Sequence, residues 1–209
     1  MSRSSEAIAP EEAGCQLFLI SPPAADRFAD DLDAALAAGG IAGFLLHLDD
    51  PARVSSLAPE LQRVCRARGV AFLLHDDLPL TLELGADGLH LSDTAMVRAA
   101  RSGLGGEGIL GAACGLSRDR AMTAGEDGAD YIALGAPDRV VEERLIELLG
   151  WWSDFFVLPC LALALTGPEE AAALARAGAD FIGAREAVWE HPQGPAAGVR
   201  TMRDAIAAA

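Results

Sequence analysis

Apolar residues fall in eight short runs along the chain, at 16–21, 43–48, 70–75, 88–92, 108–114, 131–135, 158–165 and 181–188. Continuous apolar runs of this length, bounded by Gly, Pro and Asp, predict strands buried on both faces. Between them lie segments with apolar residues at helical spacing. Asp50-Pro51 opens one in which Val54, Leu57, Leu61 and Val64 share a face. Others are predicted at 26–38, 78–84, 94–101, 119–124 and 139–149. Gly167-Pro168-Glu169-Glu170 begins the seventh, with Pro and acids in its first turn, and 196–208 closes the chain. Strand and helix alternate eight times without a linker, which predicts a single (β/α)8 barrel of the TIM type over residues 15–209.

A recurring turn supports this. Gly85-Ala86-Asp87, Gly128-Ala129-Asp130 and Gly178-Ala179-Asp180 each stand directly before an apolar run, and Gly40-Ile41-Ala42 is a looser copy. The intervals from Gly40 are 45, 43 and 50 residues, about the length of two strand–helix units. Gly closes a helix in the left-handed conformation, Ala lets the helix end approach the sheet, and Asp is expected to bond nearby backbone amides.

Composition narrows the possible partners. The 209 residues are 51% hydrophobic with a net charge of −15, enough apolar content for one large core. The acidic balance argues against nucleic acid and anionic membrane surfaces, but a local cationic site for a small anion remains compatible with it. No run has the length of a spanning helix, and residues 1–14 lack a signal-peptide core. They read as a flexible lead-in to a cytoplasmic protein. Cys15, Cys65, Cys114 and Cys160 show no metal-ligand spacing and read as small buried hydrophobes in a reducing compartment. Trp151-Trp152 and Phe155-Phe156 either staple the sixth helix to the barrel or form a homodimer surface.

Active groups of such barrels sit at the C-terminal ends of the strands. There the sequence places His47 and Asp49, His75, Asp76 and Asp77, then His90 and Asp93. Imidazoles and carboxylates together suit a divalent transition metal, or else form hydrogen-bonded polar groups in a solvated mouth. Arg185, at the eighth strand, either pairs with Glu186 or receives an anionic ligand.

Three stretches carry a family resemblance: QLFLIS from Gln16, FLLHDDLPLTLELGADGLHLS ending at Ser92, and LPCLALALTGPEEAAALARAGADFIGA ending at Ala184. Over residues 16–188 the chain resembles the thiamine-phosphate synthase and TenI family of small barrels. The resemblance implies a role in thiamine biosynthesis, where a pyrimidine pyrophosphate joins a thiazole phosphate with loss of pyrophosphate. It also implies Mg²⁺, with Asp76 as a metal ligand and Asp93 as a second candidate. By the same resemblance His47, His75, Asp76 and Arg185 occupy substrate-binding positions.

The chain departs from the family pattern at the ends of the strands. The family's Gln-Leu-Arg-x-Lys reads Leu45, Leu46, His47, Leu48 and Asp49 here, so two cations are replaced and an acid is added. The second metal-binding Asp falls on Ala95, with Asp93 two residues earlier. The fifth strand's Ser falls on Ala113, and the tautomerase branch's His on Gly115. The Thr-x-Thr-Lys lid is cut to Ala136-Pro137-Asp138, the Gly-Gly phosphate loop reads Ala164-Leu165, and a Ser-Ala step reads Arg185-Glu186. Two expectations follow. One is a divergent enzyme acting in thiamine synthesis, or on a related heterocycle, through Asp76 and a His. The other is a non-catalytic ligand-binding or regulatory barrel, a pseudoenzyme, with its small-molecule ligand at the mouth. In both, thiamine-phosphate synthase activity is expected to be unmeasurable.

Overall fold

A computed structural model describes residues 14–23 and 28–209. The predicted lead-in at 1–14 therefore lies almost wholly outside the described residues. Eight parallel strands close a barrel in sequence order: β1 (Gln16–Ile20), β2 (Ile41–Leu46), β3 (Ala71–His75), β4 (Gly88–Leu91), β5 (Ile109–Gly115), β6 (Tyr131–Gly135), β7 (Cys160–Leu163) and β8 (Phe181–Ala184). The helices between them are α1 (Phe28–Ala37), α2 (Pro51–Arg68), α3 (Leu78–Leu84), α4 (Val97–Leu104), α5 (Arg118–Glu126), α6 (Glu143–Phe155) and α7 (Pro168–Arg176). A helical turn α8 (Glu186–Trp189) and the closing helix α9 (Pro195–Ala207) follow β8.

The period of two along each strand divides the apolar residues between two layers. Leu17, Leu19, Phe44, Leu46, Phe72 and Leu74 face the helices. Phe18, Leu45, Leu73, Tyr131, Leu161 and Phe181 form a second cluster that fills the lumen. Phe18 lies 5.8 Å from Tyr131 and 6.4 Å from Phe181, ring centre to ring centre, so aromatic rings plug the barrel below its mouth.

The Gly-Ala-Asp turns do more than terminate helices. Gly85, Gly128 and Gly178 have φ of 57°, 102° and 95°, as predicted for residues leaving a helix in the left-handed region. The aspartates, however, do not bond amides within their own turns. Asp87 accepts the backbone N–H of Phe72 at 2.9 Å, Asp130 that of Leu110 at 2.7 Å, and Asp180 that of Cys160 at 2.8 Å. Each staples the strand it precedes to the strand before it, joining β3 to β4, β5 to β6 and β7 to β8.

Several boundaries differ from the sequence expectation, β2 among them, which runs over 41–46 and not 43–48. β8 ends at Ala184, not at residue 188, because the Arg185 carbonyl accepts the N–H groups of Val188 and Trp189 and the chain turns helical. β7 is shorter than 158–165, and the Leu165 N–H goes to the Arg139 carbonyl instead of a strand. The sixth helix starts at Glu143, not at 139, and runs on to Phe155, so it contains the Trp pair. The fourth begins as a 3₁₀ turn (Thr94–Met96) before α4.

The aromatic pairs divide. Trp152 is buried, donates from Nε1 to the Leu158 carbonyl and stacks on Phe156 at 4.1 Å, which staples α6 to the barrel. Phe155 is 72% exposed and points outward. The four cysteines are free thiols, three of them buried, and burial pushes Cys65 and Cys160 up to about 12 and Cys114 to about 11.

Candidate functional site

Strand register sets the polar residues of the mouth in one row. Leu46 pairs with Leu74, His75 with His90, His90 with Gly111 and Gly111 with Tyr131. His47 follows Leu46 and so falls level with His75. The two imidazoles stack with ring centres 3.8 Å apart and planes 15° from parallel. His90 lies 6.0 Å beyond His75, and Tyr131 5.7 Å beyond His90. Tyr131 reaches across β5 because Gly111 has no side chain. A Cβ there would lie 2.0 Å from the tyrosine Cζ. The phenol oxygen and His90 Nδ1 are 2.8 Å apart.

Burial makes this row neutral. It drives His90 down to about 3 and lowers His47 and His75; other imidazoles depress His90 and His47 further, and Arg185 adds to the effect on His47. Asp76 and Asp49 act in the opposite sense on His75, but do not reverse the direction. Burial raises Tyr131, which stays a phenol. Both partners of the His90–Tyr131 bond are uncharged, so the bond needs no counter-ion inside the barrel. Ser21, buried at the end of β1, donates its hydroxyl to the His47 carbonyl and accepts the His47 N–H, fixing the position from which that ring stacks.

Asp76 is tied down. It is a non-glycine residue at φ 52°, a conformation Asp tolerates better than most side chains. Its Oδ1 accepts the Ser92 N–H at 2.8 Å, and its Oδ2 accepts the Ser92 hydroxyl at 2.5 Å and lies 3.5 Å from His75 Nδ1. Burial raises its pKa, but the two Ser92 bonds and the nearby imidazoles outweigh burial and hold the carboxyl below its usual value. Two further acids act as caps. Asp93 accepts the Ala95 N–H at 3.0 Å and Asp77 that of Leu80 at 2.9 Å. Among the described residues, no three His, Cys, Asp or Glu side chains form a group able to hold a metal ion. Mg²⁺ requires several oxygen ligands in near-octahedral array. Asp76 accepts two bonds from Ser92 and Asp93 caps its own turn, so neither expected ligand is free of protein donors and the pair is a poor fit to that ion.

Arg185 pairs with Glu186, Nε to Oε1 at 2.6 Å, the first of its two sequence alternatives. With His47, Asp49, Asp50 and Arg53 it lines a cavity of about 300 Å³. The mouth thus brings His47, His75 and Asp76 together with His90, places Arg185 beside His47, and leaves Asp93 to its cap. Sequence reasoning missed Ser21, Ser92 and Tyr131. It also missed Arg120, whose guanidinium donates to Thr94 Oγ1 and to the carbonyls of Ser92 and Ala113, bracing the loop after β4 against β5. Tyr131 offered one signal, as the chain's single tyrosine in an otherwise apolar strand.

The profile of the thiamine monophosphate synthase family matches residues 17–188. The chain belongs to that family. A thiamine-phosphate synthase of Rhodospirillum centenum is 43% identical over 203 residues, covering 90% of this chain and 98% of that protein. One from Hyphomonas neptunium is 39% identical, covering 90% and 91%. The structure of thiamine phosphate pyrophosphorylase from Pyrococcus furiosus superposes with a TM-score of 0.78 at 20% identity, covering 92% of this chain and 96% of that one. A geranylgeranylglyceryl phosphate synthase from Thermoplasma acidophilum reaches 0.72 at 17% identity, with both chains covered in full, and at that identity it shares the fold alone. The family thus agrees with the resemblance carried by the three quoted stretches. In the described residues, no helix is long and apolar enough to cross a membrane.

Proposed function

We propose that this member of the family serves thiamine biosynthesis by binding a small aromatic heterocycle at the barrel mouth, without the condensation that displaces pyrophosphate. The observation that carries this reading is the His47–His75 stack, 3.8 Å between ring centres, where the family pattern has its cationic row. A pair of neutral, partly exposed imidazoles offers a flat surface to an aromatic ring. It offers little to a pyrophosphate, whose departure calls for fixed positive charge. Arg185 is already paired with Glu186, and Asp49 and Asp50 line the cavity beside it.

The chain's own residues supply positioning. Ser21 holds the His47 backbone, Ser92 holds Asp76, and Asp76 stands beside His75 Nδ1, favouring a proton there and leaving Nε2 as the acceptor.

The alternative is full synthase activity. It is favoured by the thiamine-phosphate synthase of Rhodospirillum centenum, which matches nearly end to end at 43% identity. An assay with the pyrimidine pyrophosphate, the thiazole phosphate and Mg²⁺ separates the two. The proposal expects no thiamine phosphate above the enzyme-free blank, together with saturable binding of the pyrimidine or thiazole compound that weakens on His75→Ala. Turnover, or absence of binding by both compounds, overturns it.

A further inference from the structure

The barrel uses only half of the aromatic cluster at the end of α6. Trp152 and Phe156 stack on each other, but Phe155 is 72% exposed and Val157 fully so, more than any other large apolar side chain among the described residues. The half-buried Trp151 joins the two halves, its ring 6.2 Å from that of Phe155 and 5.1 Å from that of Phe156. Beside this ridge runs a groove of about 370 Å³ between α5 and the end of α6, lined by Met122, Gly125, Phe156 and Leu158. On a chain of net charge −15, a continuous apolar ridge and groove are the signature of an association surface.

Charge along the groove points to its occupant. Arg118, Met122 and Glu126 stand four residues apart on α5 and so share one stripe of that helix. Arg118 lies over the Trp151 ring at 4.3 Å, and Glu126 lines the far end of the groove. Among the described residues, neither of these charged side chains makes a hydrogen bond or an ion pair. They stand about 12 Å apart along the helix, with Met122 midway. A two-fold axis through the groove beside Met122 would bring the Arg118 end of one copy to the Glu126 end of another, forming both ion pairs together. The same rotation would lay the Phe155 ridge of each copy over the α5 wall of the other's groove.

We propose that the α5–α6 face is the interface of a homodimer, with α5 of the two copies antiparallel across the two-fold axis. The face is self-complementary in shape, as ridge beside groove, and in sign, as cation and anion at opposite ends of one stripe. An isologous contact requires both halves on the same surface, whereas a different protein would need only one of each. Apolar anchors at the centre with charged pairs at the rim are the usual anatomy of such an interface. The interface lies on the outside of the barrel, and oligomeric state is read without any ligand, so it stands or falls independently of heterocycle binding at the mouth.

The test is sedimentation velocity of the full chain from about 1 to 100 µM, at an ionic strength of about 0.1 M. A species of twice the chain mass is expected at the upper end. Phe155→Glu changes an exposed side chain, so it should leave the circular dichroism unaltered and weaken association about thirtyfold or more. Arg118→Glu sets like charges opposite each other and should weaken it about tenfold or more, and the double reversal Arg118→Glu/Glu126→Arg should restore it. Leu82→Glu, an equally drastic change at an exposed position on α3, should leave the dimer intact. A monomer at about 100 µM overturns the proposal and leaves the face to a different protein. It is also overturned by a dimer that Phe155→Glu does not weaken, by equal weakening in Leu82→Glu, by failure of the double reversal to restore association, or by open-ended growth beyond two copies.

Discussion

Ser92 donates to Asp76 twice, once from its backbone N–H and once from its hydroxyl, and so occupies both oxygens of the carboxylate that the family resemblance assigns to a metal. This one residue, through a backbone and a side-chain donor, holds the carboxylate beside His75. The same pair accounts for the positive φ of Asp76, since bonds to the loop after β4 hold the residue in a conformation it would otherwise leave.

Mg²⁺ at about 5 mM should therefore leave the thermal midpoint unmoved, because an ion that does not bind the native state cannot stabilise it. Ser92→Gly removes the hydroxyl and should cost about 1 kcal/mol, at the low end for a bond to a charged group because Asp76 is 39% exposed. Calorimetry with and without the ion checks both. A shift of several degrees in the unaltered protein would show that the carboxylate is free.

The strand staples should dominate the stability of the lower barrel. Asp87→Ala leaves the Phe72 N–H without its acceptor, and Asp130→Ala and Asp180→Ala do the same to Leu110 and Cys160. Each is expected to cost about 1–3 kcal/mol. Asp130→Ala should cost most, since it also releases Arg101. Urea unfolding monitored by tryptophan fluorescence gives the order.

Lumen packing predicts a larger effect at Gly111. Gly111→Ala sets a methyl group 2.0 Å from the Tyr131 ring, and the ring has no free volume into which to retreat. It should destabilise by about 3 kcal/mol or more and break the His90–Tyr131 bond. Tyr131→Phe keeps the packing and loses only the hydroxyl, so it should cost about 1–2 kcal/mol. The two variants separate sterics from hydrogen bonding.

Acid should weaken the fold from the neutral side. The folded pKa of His90 is depressed to about 3 from an ordinary 6.5, so between those values the unfolded chain takes up a proton that the native chain refuses. Stability is then full above 6.5 and falls as pH drops, by about 1.4 kcal/mol per unit for one such group. His47 and His75 are shifted the same way and steepen the fall. Asp76, also depressed, adds loss only below its own ordinary 3.8. Urea midpoints between pH 7 and about 4.5 thus isolate the imidazoles. His90→Gln should reduce the slope by about one proton, and an unchanged slope would place the titration elsewhere.

The barrel was legible because its signals are local and repeated. Each Gly-Ala-Asp turn announces a strand, and each apolar run is long enough to exclude most other readings. The destination of each Asp was hidden, since its partner lies 15 to 20 residues earlier and only the closed sheet brings the two together. The mouth was half legible. His47, His75 and Asp76 could be placed at strand ends, but their stacking depends on register across β2 and β3. The capping role of Asp93 depends on a 3₁₀ turn that periodicity does not reveal. Ser92 gave no sign of its importance, because a serine after a strand is unremarkable until its acceptor is known. β8 was overrun because Glu186-Ala187-Val188-Trp189 is apolar enough to extend a strand, and only the Arg185 carbonyl turns it into a helix.

The central claim, that the scaffold of this family is kept here without its condensation, is tested most directly by complementation of a thiamine auxotroph lacking the synthase. The chain should be expressed and folded in that strain yet give no growth without added thiamine. Robust growth on thiamine-free medium, lost again in His75→Ala, would contradict the claim and establish synthase activity through a mouth built on imidazoles.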